Sequence, residues 1–209
     1  MQRIVEPEIL DSLPIDDPEA CRSRADLKWV NRFMGGEKWI CKQVEQMDGV
    51  QRVIELGAGM GALATRLKRT MEHLEVVAVD LIDKPSEVPD EIEWKTGDLF
   101  EMDLKIDECT VVVSNLFLHH FKREQLLELG ERVADAKAVL VAEPDRSLKA
   151  LYLGRLILPF VGRVTRYDMM VSIRAGFQKG EIPHFFNKSM DWQESHGCFG
   201  GLRSKGVNL

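Results

Sequence analysis

Residues 53–61 read VIELGAGMG. A hydrophobic run closes on Glu55 and Leu56, and Gly57, Gly59 and Gly61 follow at alternate positions, with Ala58 between the first two. Glycine has no Cβ, so it reaches strained backbone angles and lets a ligand touch the main chain. Val53 to Leu56 suit a strand, and Leu63, Leu67 and Met71 give the next segment a helical stripe. Strand, glycine turn and helix together open a nucleotide-binding βαβ unit. Gly57-x-Gly59-x-x-Ala62 also fits the NAD fingerprint. The glycines alone do not choose between NAD and another adenosine cofactor.

Glu55 helps to choose. In a dinucleotide site the pyrophosphate lies over this turn and the helix N-terminus, and a carboxylate beside it would repel that charge. S-adenosylmethionine has no phosphate and carries a sulfonium and an ammonium, which a carboxylate attracts. The plainer alternative is a solvated or ion-paired acid at a strand end.

Outward from this stretch the chain alternates. Apolar strands are expected near 52–56, 75–80, 91–96, 109–115 and 137–143, with helical stretches between several of them. That order implies right-handed crossovers and a mostly parallel sheet. Two more strands are expected near 189–196 and 201–208. The short Gly197-Cys198-Phe199-Gly200-Gly201 link makes them an antiparallel hairpin. Upstream, residues 1–22 read as extended, with helices over 25–34 and 39–47 separated by Gly35-Gly36. We divide the chain into an N-terminal helical cap, 1–50, and a domain over 51–209 with a lid-like insertion at about 146–188.

Length and composition, 209 residues with 44% hydrophobic, suit one well-cored domain with appendages. A net charge of −6 argues against a nucleic-acid partner. Cys21, Cys41, Cys109 and Cys198 are scattered and read as reduced thiols. The acidic N-terminus does not resemble a signal peptide, and no run of 18 apolar residues occurs, so a cytoplasmic protein without a membrane span is expected. Surface association with a membrane stays open.

Ligands of open α/β sheets bind at the carboxyl ends of the strands. Strand two ends in Asp80, some twenty residues past the turn, where an acid can bond both ribose hydroxyls. Leu81 then can lie on the adenine face. Strand three ends in Asp98 and Leu99, an acceptor for the adenine amino group and an amide donor for its ring. Strand four ends in Asn115, within SNLFLHHF. Strand five ends in Glu143 and Asp145. One acid at a strand end is often a helix cap; three on successive strands are harder to explain so.

With VIELGAGMG, VVAVDL, TGDLF and SNLFLHHF in this order, residues 50–145 resemble the class I S-adenosylmethionine-dependent methyltransferases. The LHHF resembles the quinone-biosynthesis-like and other small-molecule members, and the flanks DLKWVNRFMGG and VTRYDMMVSIRAGF resemble a bacterial subgroup. The resemblance implies a Rossmann-like, doubly wound, seven-stranded sheet with its last strand antiparallel. It also implies cofactor contacts from Glu55, Gly57, Ala58, Gly59, Gly61, Asp80, Leu81, Asp98, Leu99 and Asn115.

Methyl transfer from a sulfonium is an in-line displacement, in which the protein aligns the acceptor and excludes water. A hydroxyl or acidic-carbon acceptor gains from a general base. His119 and His120 are the candidates, with one expected to face the cleft; helix capping or packing is their bland alternative. Glu143 and Tyr167 are weaker candidates. Asn115 is not followed by Pro-Pro-aromatic, which disfavours nitrogen acceptors, and neither an Asp-Asp-Asn set nor HExxH occurs, so no metal is expected. Residues 146–174 hold six Lys or Arg and one acid, Asp168. They read as an amphipathic lid for an apolar acceptor, a membrane-surface helix or a plain core helix. Small-molecule methylation at oxygen or carbon is the leading function, with S-adenosylhomocysteine as product. An NAD-dependent oxidoreductase, a non-catalytic S-adenosylmethionine-binding protein and an RNA methyltransferase are the alternatives.

Overall fold

The computed structural model describes residues 1–186 and 189–208, and of Cys198 the backbone only. The last two positions of the expected 146–188 insertion lie outside the described residues. Among the described residues seven strands form one sheet: β1 (Arg52–Leu56), β2 (Glu75–Asp80), β3 (Glu93–Thr96), β4 (Thr110–Asn115), β5 (Ala138–Pro144), β6 (Asp191–His196) and β7 (Gly201–Val207). Their order is β3-β2-β1-β4-β5-β7-β6. The first five pair in parallel, and β7 runs antiparallel between β5 and β6. The last strand is thus antiparallel, as expected.

The central strands are apolar along their whole length because helices cover both faces. On one face, Val53, Val76, Ala78, Val111, Val113 and Leu140 pack with Ile40 and Val44 of α2 (Gly36–Glu45) and with Leu63 and Leu67 of α3 (Ala62–Thr70). The other face sets Ile54, Val77, Val112 and Val139 against Leu126 and Leu129 of α4 (Arg123–Arg132) and against Phe177 and Ile182. The outer strands β3 and β6 carry EWKT and DWQESH, whose exposed charges blunt the sheet edges. The crossovers leave β1 and β4 in opposite directions. A crevice therefore opens between their carboxyl ends, where ligands of such sheets bind.

The N-terminal fifth departs from the sequence expectation. Residues 18–22 are helical, since α1 spans Pro18–Met34, with Pro18 at its first position and the Asp17 carboxylate accepting from the Glu19 and Ala20 amides. Leu10–Ser12 is a 3-10 turn. The second helix begins at Gly36, three residues earlier than read, because Gly35 alone makes the left-handed bend between the helices. A Cβ on Gly36 would fall 2.3 Å from Asn115 Oδ1, so glycine lets α2 start hard against the crevice. After β5 the chain forms α5 (Leu148–Ile157), a 3-10 turn at Leu158–Phe160, α6 (Arg163–Ala175) and α7 (Glu181–Phe185).

Candidate functional site

A cavity of about 1370 Å³ occupies the crevice. Every residue singled out above for cofactor contact lines it: Glu55, Gly57, Ala58, Gly59, Gly61, Asp80, Leu81, Asp98, Leu99 and Asn115. Single-ligand pockets run to about 1000 Å³, so the space suits two molecules side by side.

The glycine turn forms its floor. Gly57, Gly59 and Gly61 all take positive φ (70°, 54° and 71°). A Cβ on Gly57 would lie 2.1 Å from the Phe117 ring and one on Gly61 2.4 Å from Val88, whereas one on Gly59 would meet nothing within 4 Å. Gly57 and Gly61 are thus needed for close packing, and Gly59 leaves open room. Asp80 holds the turn in shape, as its carboxylate accepts from the Gly59 amide at 2.6 Å and from that of Ile82 at 3.2 Å. Asp98 accepts from the Phe100 amide at 2.9 Å. Leu81 is 75% exposed at the rim, and Leu99 is buried.

Glu55 differs from its sequence reading as a charge beside the turn. It is 3% exposed. Burial drives its carboxyl well above the usual carboxylate range; the Ala64 amide opposes this, and Glu37 and Asp80 add to it. Among the described residues its Oε2 has no hydrogen-bond partner. An unpaired buried oxygen of this kind is costly.

Past β4 the chain bends sharply. Leu116 takes φ 56° and donates its amide to Ala142 O. The next two amides, of Phe117 and Leu118, both donate to Glu143 Oε1 at 2.8 and 2.7 Å. Glu143 Oε2 lies 2.7 Å from His119 Nδ1. Glu143 is fully buried and shapes the LHH turn from behind instead of facing the cavity. As a base candidate it is corrected, and so is Tyr167, which is exposed on α6 and not among the lining residues.

The two histidines both reach the cavity wall and stack with ring centroids 4.3 Å apart, but their surroundings are opposite. His119 Nε2 faces Glu8 Oε1 at 3.4 Å, so carboxylates flank both its nitrogens. Burial alone would push its imidazole down; the charge and hydrogen bond of Glu143, joined by those of Glu8, outweigh that and raise it to about 9. At neutral pH His119 is a cation with no lone pair to offer. His120 is partly exposed and has its Nδ1 3.6 Å from Asp11 Oδ2. Burial and the neighbouring His119 charge push it below the usual range, against Glu8 and Asp11. Glu8, His119 and His120 have metal-compatible donors within 4.8 Å of one another. Two of the three, Glu8 and His119, are also an ion pair.

Glu8 and Asp11 were missed by sequence reasoning. They arrive on residues 3–13, which strap across α6. Arg3 Nε donates to Ala175 O at 2.7 Å and Nη2 to His119 O at 3.1 Å, with the guanidinium 4.7 Å over the Phe177 ring. The amides of Ile9 and Leu10 donate to the two Asp168 oxygens at 2.7 and 3.1 Å, and Ser172 Oγ donates to Glu8. The available signal was Asp168, the lone acid in a basic stretch.

Residues 54–142 match the family model described as a methyltransferase domain. Over these residues the chain carries a methyltransferase domain. No curated protein matches it. Among solved structures, the methyltransferase is similar to plantazolicin methyltransferase BpumL, crystallised with a pentazolic desmethylPZN analog and SAH. The two share 12% identity over 93% of each chain at a TM-score of 0.68. It is also similar to the pyocyanin biosynthetic protein PhzM, at 11% identity over 93% of this chain and 60% of that one and a TM-score of 0.61. The methyltransferase domain of bacterial CtHen1-C gives 12% identity over 84% and 97%, with a TM-score of 0.60. At these identities the likeness is one of fold. A methyltransferase domain over residues 54–142 speaks against the oxidoreductase alternative.

Proposed function

We propose that this methyltransferase alkylates oxygen, or an acidic carbon, on a small apolar or aromatic acceptor, with His120 as the general base. The observation that carries the reading is the pairing of His120 with Asp11 on the wall of the cavity that also holds the glycine turn.

Two features fit the cofactor to this floor. Glu55 Oε2 is an unpaired buried oxygen suited to a cationic methionyl group, and Gly59 leaves space where any side chain would intrude. On this reading Glu55 and the amides of Gly57, Ala58, Gly59 and Gly61 hold the methionyl end, Asp80 the ribose, and Leu81, Asp98 and Leu99 the adenine. Asn115, beside the start of α2, borders both ligands. Bound S-adenosylmethionine supplies an activated methyl group.

The chain's own residues do the rest. Phe33, Met34, Phe117, Ile157 and Met169 give the remaining cavity an apolar wall that excludes water and favours an aromatic body. His120, neutral because its pKa is lowered, accepts the acceptor's proton on its free ring nitrogen, and Asp11 stabilises the resulting cation. His119 is a positioning residue, pinned between Glu8 and Glu143, and its fixed charge keeps its neighbour deprotonated. Residues 1–50 act as the cap through the strap and α1, and α5 and α6 form the lid. The charge of −6 speaks against an RNA acceptor.

The test is transfer of radiolabelled methyl from S-adenosylmethionine to a panel of phenols and apolar hydroxy compounds. His120→Ala is expected to lower kcat about 10²–10⁴-fold with cofactor affinity unchanged. Wild-type turnover that His120→Ala leaves intact would remove the base assignment. Cofactor binding without transfer to any acceptor would favour a non-catalytic binding protein.

A further inference from the structure

α5 is apolar on both sides. Its inner side sets Ala150 and Gly154 against the cavity and, with Leu151 and Ile157, against Met169 and Ile173 of α6. Its outer side is the anomaly. Leu148, Tyr152, Leu156 and Phe160 recur every fourth residue and are 75, 63, 53 and 76% exposed. Phe199, on a turn packed against α5 and α1, belongs to a second exposed group: its ring lies 5.7 Å from Phe33, which lies 4.8 Å from Trp29. These three aromatics line the cavity and are also exposed, so they stand at its mouth. Contiguous exposed apolar surface of this kind marks an interaction site.

The charges around the row indicate what covers it. Every charged residue between 148 and 167 is basic and exposed: Lys149, Arg155, Arg163 and Arg166. This is unexpected on a chain of net charge −6. Large apolar and aromatic residues interleaved with Lys and Arg on one helical side are the pattern of a helix that lies in a bilayer interface, rings among the acyl chains and cations at the phosphates. A second copy fits less well, because a two-fold contact would set this basic patch against itself.

We infer that the outer side of α5 and the following turn, with Phe199, dock the protein onto an anionic lipid surface and hold the cavity mouth at the interface. An apolar acceptor dissolved in the bilayer then reaches the cavity without crossing water. No helix among the described residues is long and apolar enough to cross a membrane, so the attachment is peripheral.

Co-sedimentation of the full chain with vesicles tests this without cofactor or acceptor, independently of the transfer reaction. The chain should bind vesicles of phosphatidylcholine with phosphatidylglycerol, bind phosphatidylcholine alone far more weakly, and be released by salt. Leu156→Ser with Phe160→Ser should reduce partitioning about tenfold or more. Arg155→Gln with Arg163→Gln should reduce it roughly fivefold per charge on anionic vesicles only. Unaltered circular dichroism and S-adenosylhomocysteine affinity certify the fold of each variant. Absence of binding to anionic vesicles, or binding that both folded variants retain, overturns the inference. So does a dimer in ultracentrifugation without lipid that Phe160→Ser dissociates, which would give the row to a second copy.

Discussion

Glu55 sits at a cost that a cationic ligand would remove. Its carboxyl is buried, has one oxygen unpaired and is pushed toward the neutral form. Burying an acid this way costs stability unless a partner arrives. Glu55→Gln keeps the shape and removes the ionisation, and the two consequences have opposite signs. Without ligand the variant should melt at or above the wild-type temperature. With S-adenosylmethionine it should lose about 1–3 kcal/mol of binding free energy, the worth of a charged hydrogen bond. Calorimetric titration beside thermal melts checks both, and unchanged affinity would leave Glu55 a purely structural acid. The same scale separates the two histidines. They are adjacent in sequence and alike in composition, yet Glu143 and Glu8 make His119 a fixed cation, while burial and that charge push His120 below the usual range.

At the scale of elements, the strap over α6 carries the groups that divide those histidines. Its hold is narrow: two amides on Asp168, the Arg3 contacts and the Ser172–Glu8 bond. Burial raises the Asp168 carboxyl while the Ile9 and Leu10 amides lower it, so the acid depends on those bonds. Asp168→Ala removes both acceptors and should loosen residues 3–13 by about 1–3 kcal/mol. Hydrogen exchange should then quicken at Ile9 and Leu10 and leave β1, β4 and β5 protected. Unchanged exchange in the strap would show that Arg3 and Glu8 suffice to hold it. The legibility of the chain follows the same division. The sheet could be read because buried strands leave apolar runs and each ends on a polar residue at the crevice. The strap could not: residues 1–17 have no periodicity, Glu8 and Asp11 look like any solvated acids, and their partners lie over a hundred residues away. Glu143 was seen at the mouth of strand five, but its inward direction is set by the bend at Leu116, which no local pattern announces.

Across the whole molecule, Glu8, His119 and Glu143 join the N-terminal strap, the β4 crevice and the central sheet in one buried ion network. Its titration should therefore register in global stability. The His119 imidazole is near 6.5 when unfolded and is raised to about 9 in the folded protein. The folded state then binds the proton more tightly, and the network's contribution is complete below about pH 6.5. As pH rises the unfolded chain releases that proton first, and the contribution drains away until it is lost near pH 9. The span corresponds to a loss on the order of 3–4 kcal/mol. Glu8 acts in the other direction: burial opposes it, but His119 and His120 hold its carboxyl below the usual range, so its contribution is present at neutral pH and fades only in acid. Stability should therefore be highest near neutrality or slightly below and decline through the alkaline window. Glu8→Gln removes one of the carboxylates that hold the proton, so the alkaline decline should still begin near pH 6.5 but end at lower pH, with less total stability to lose. Denaturant melts between pH 6 and 10 on both proteins measure this. A wild-type curve flat across that window would mean that His119 is neutral in the folded protein, and the division of labour between the two histidines would have to be reversed.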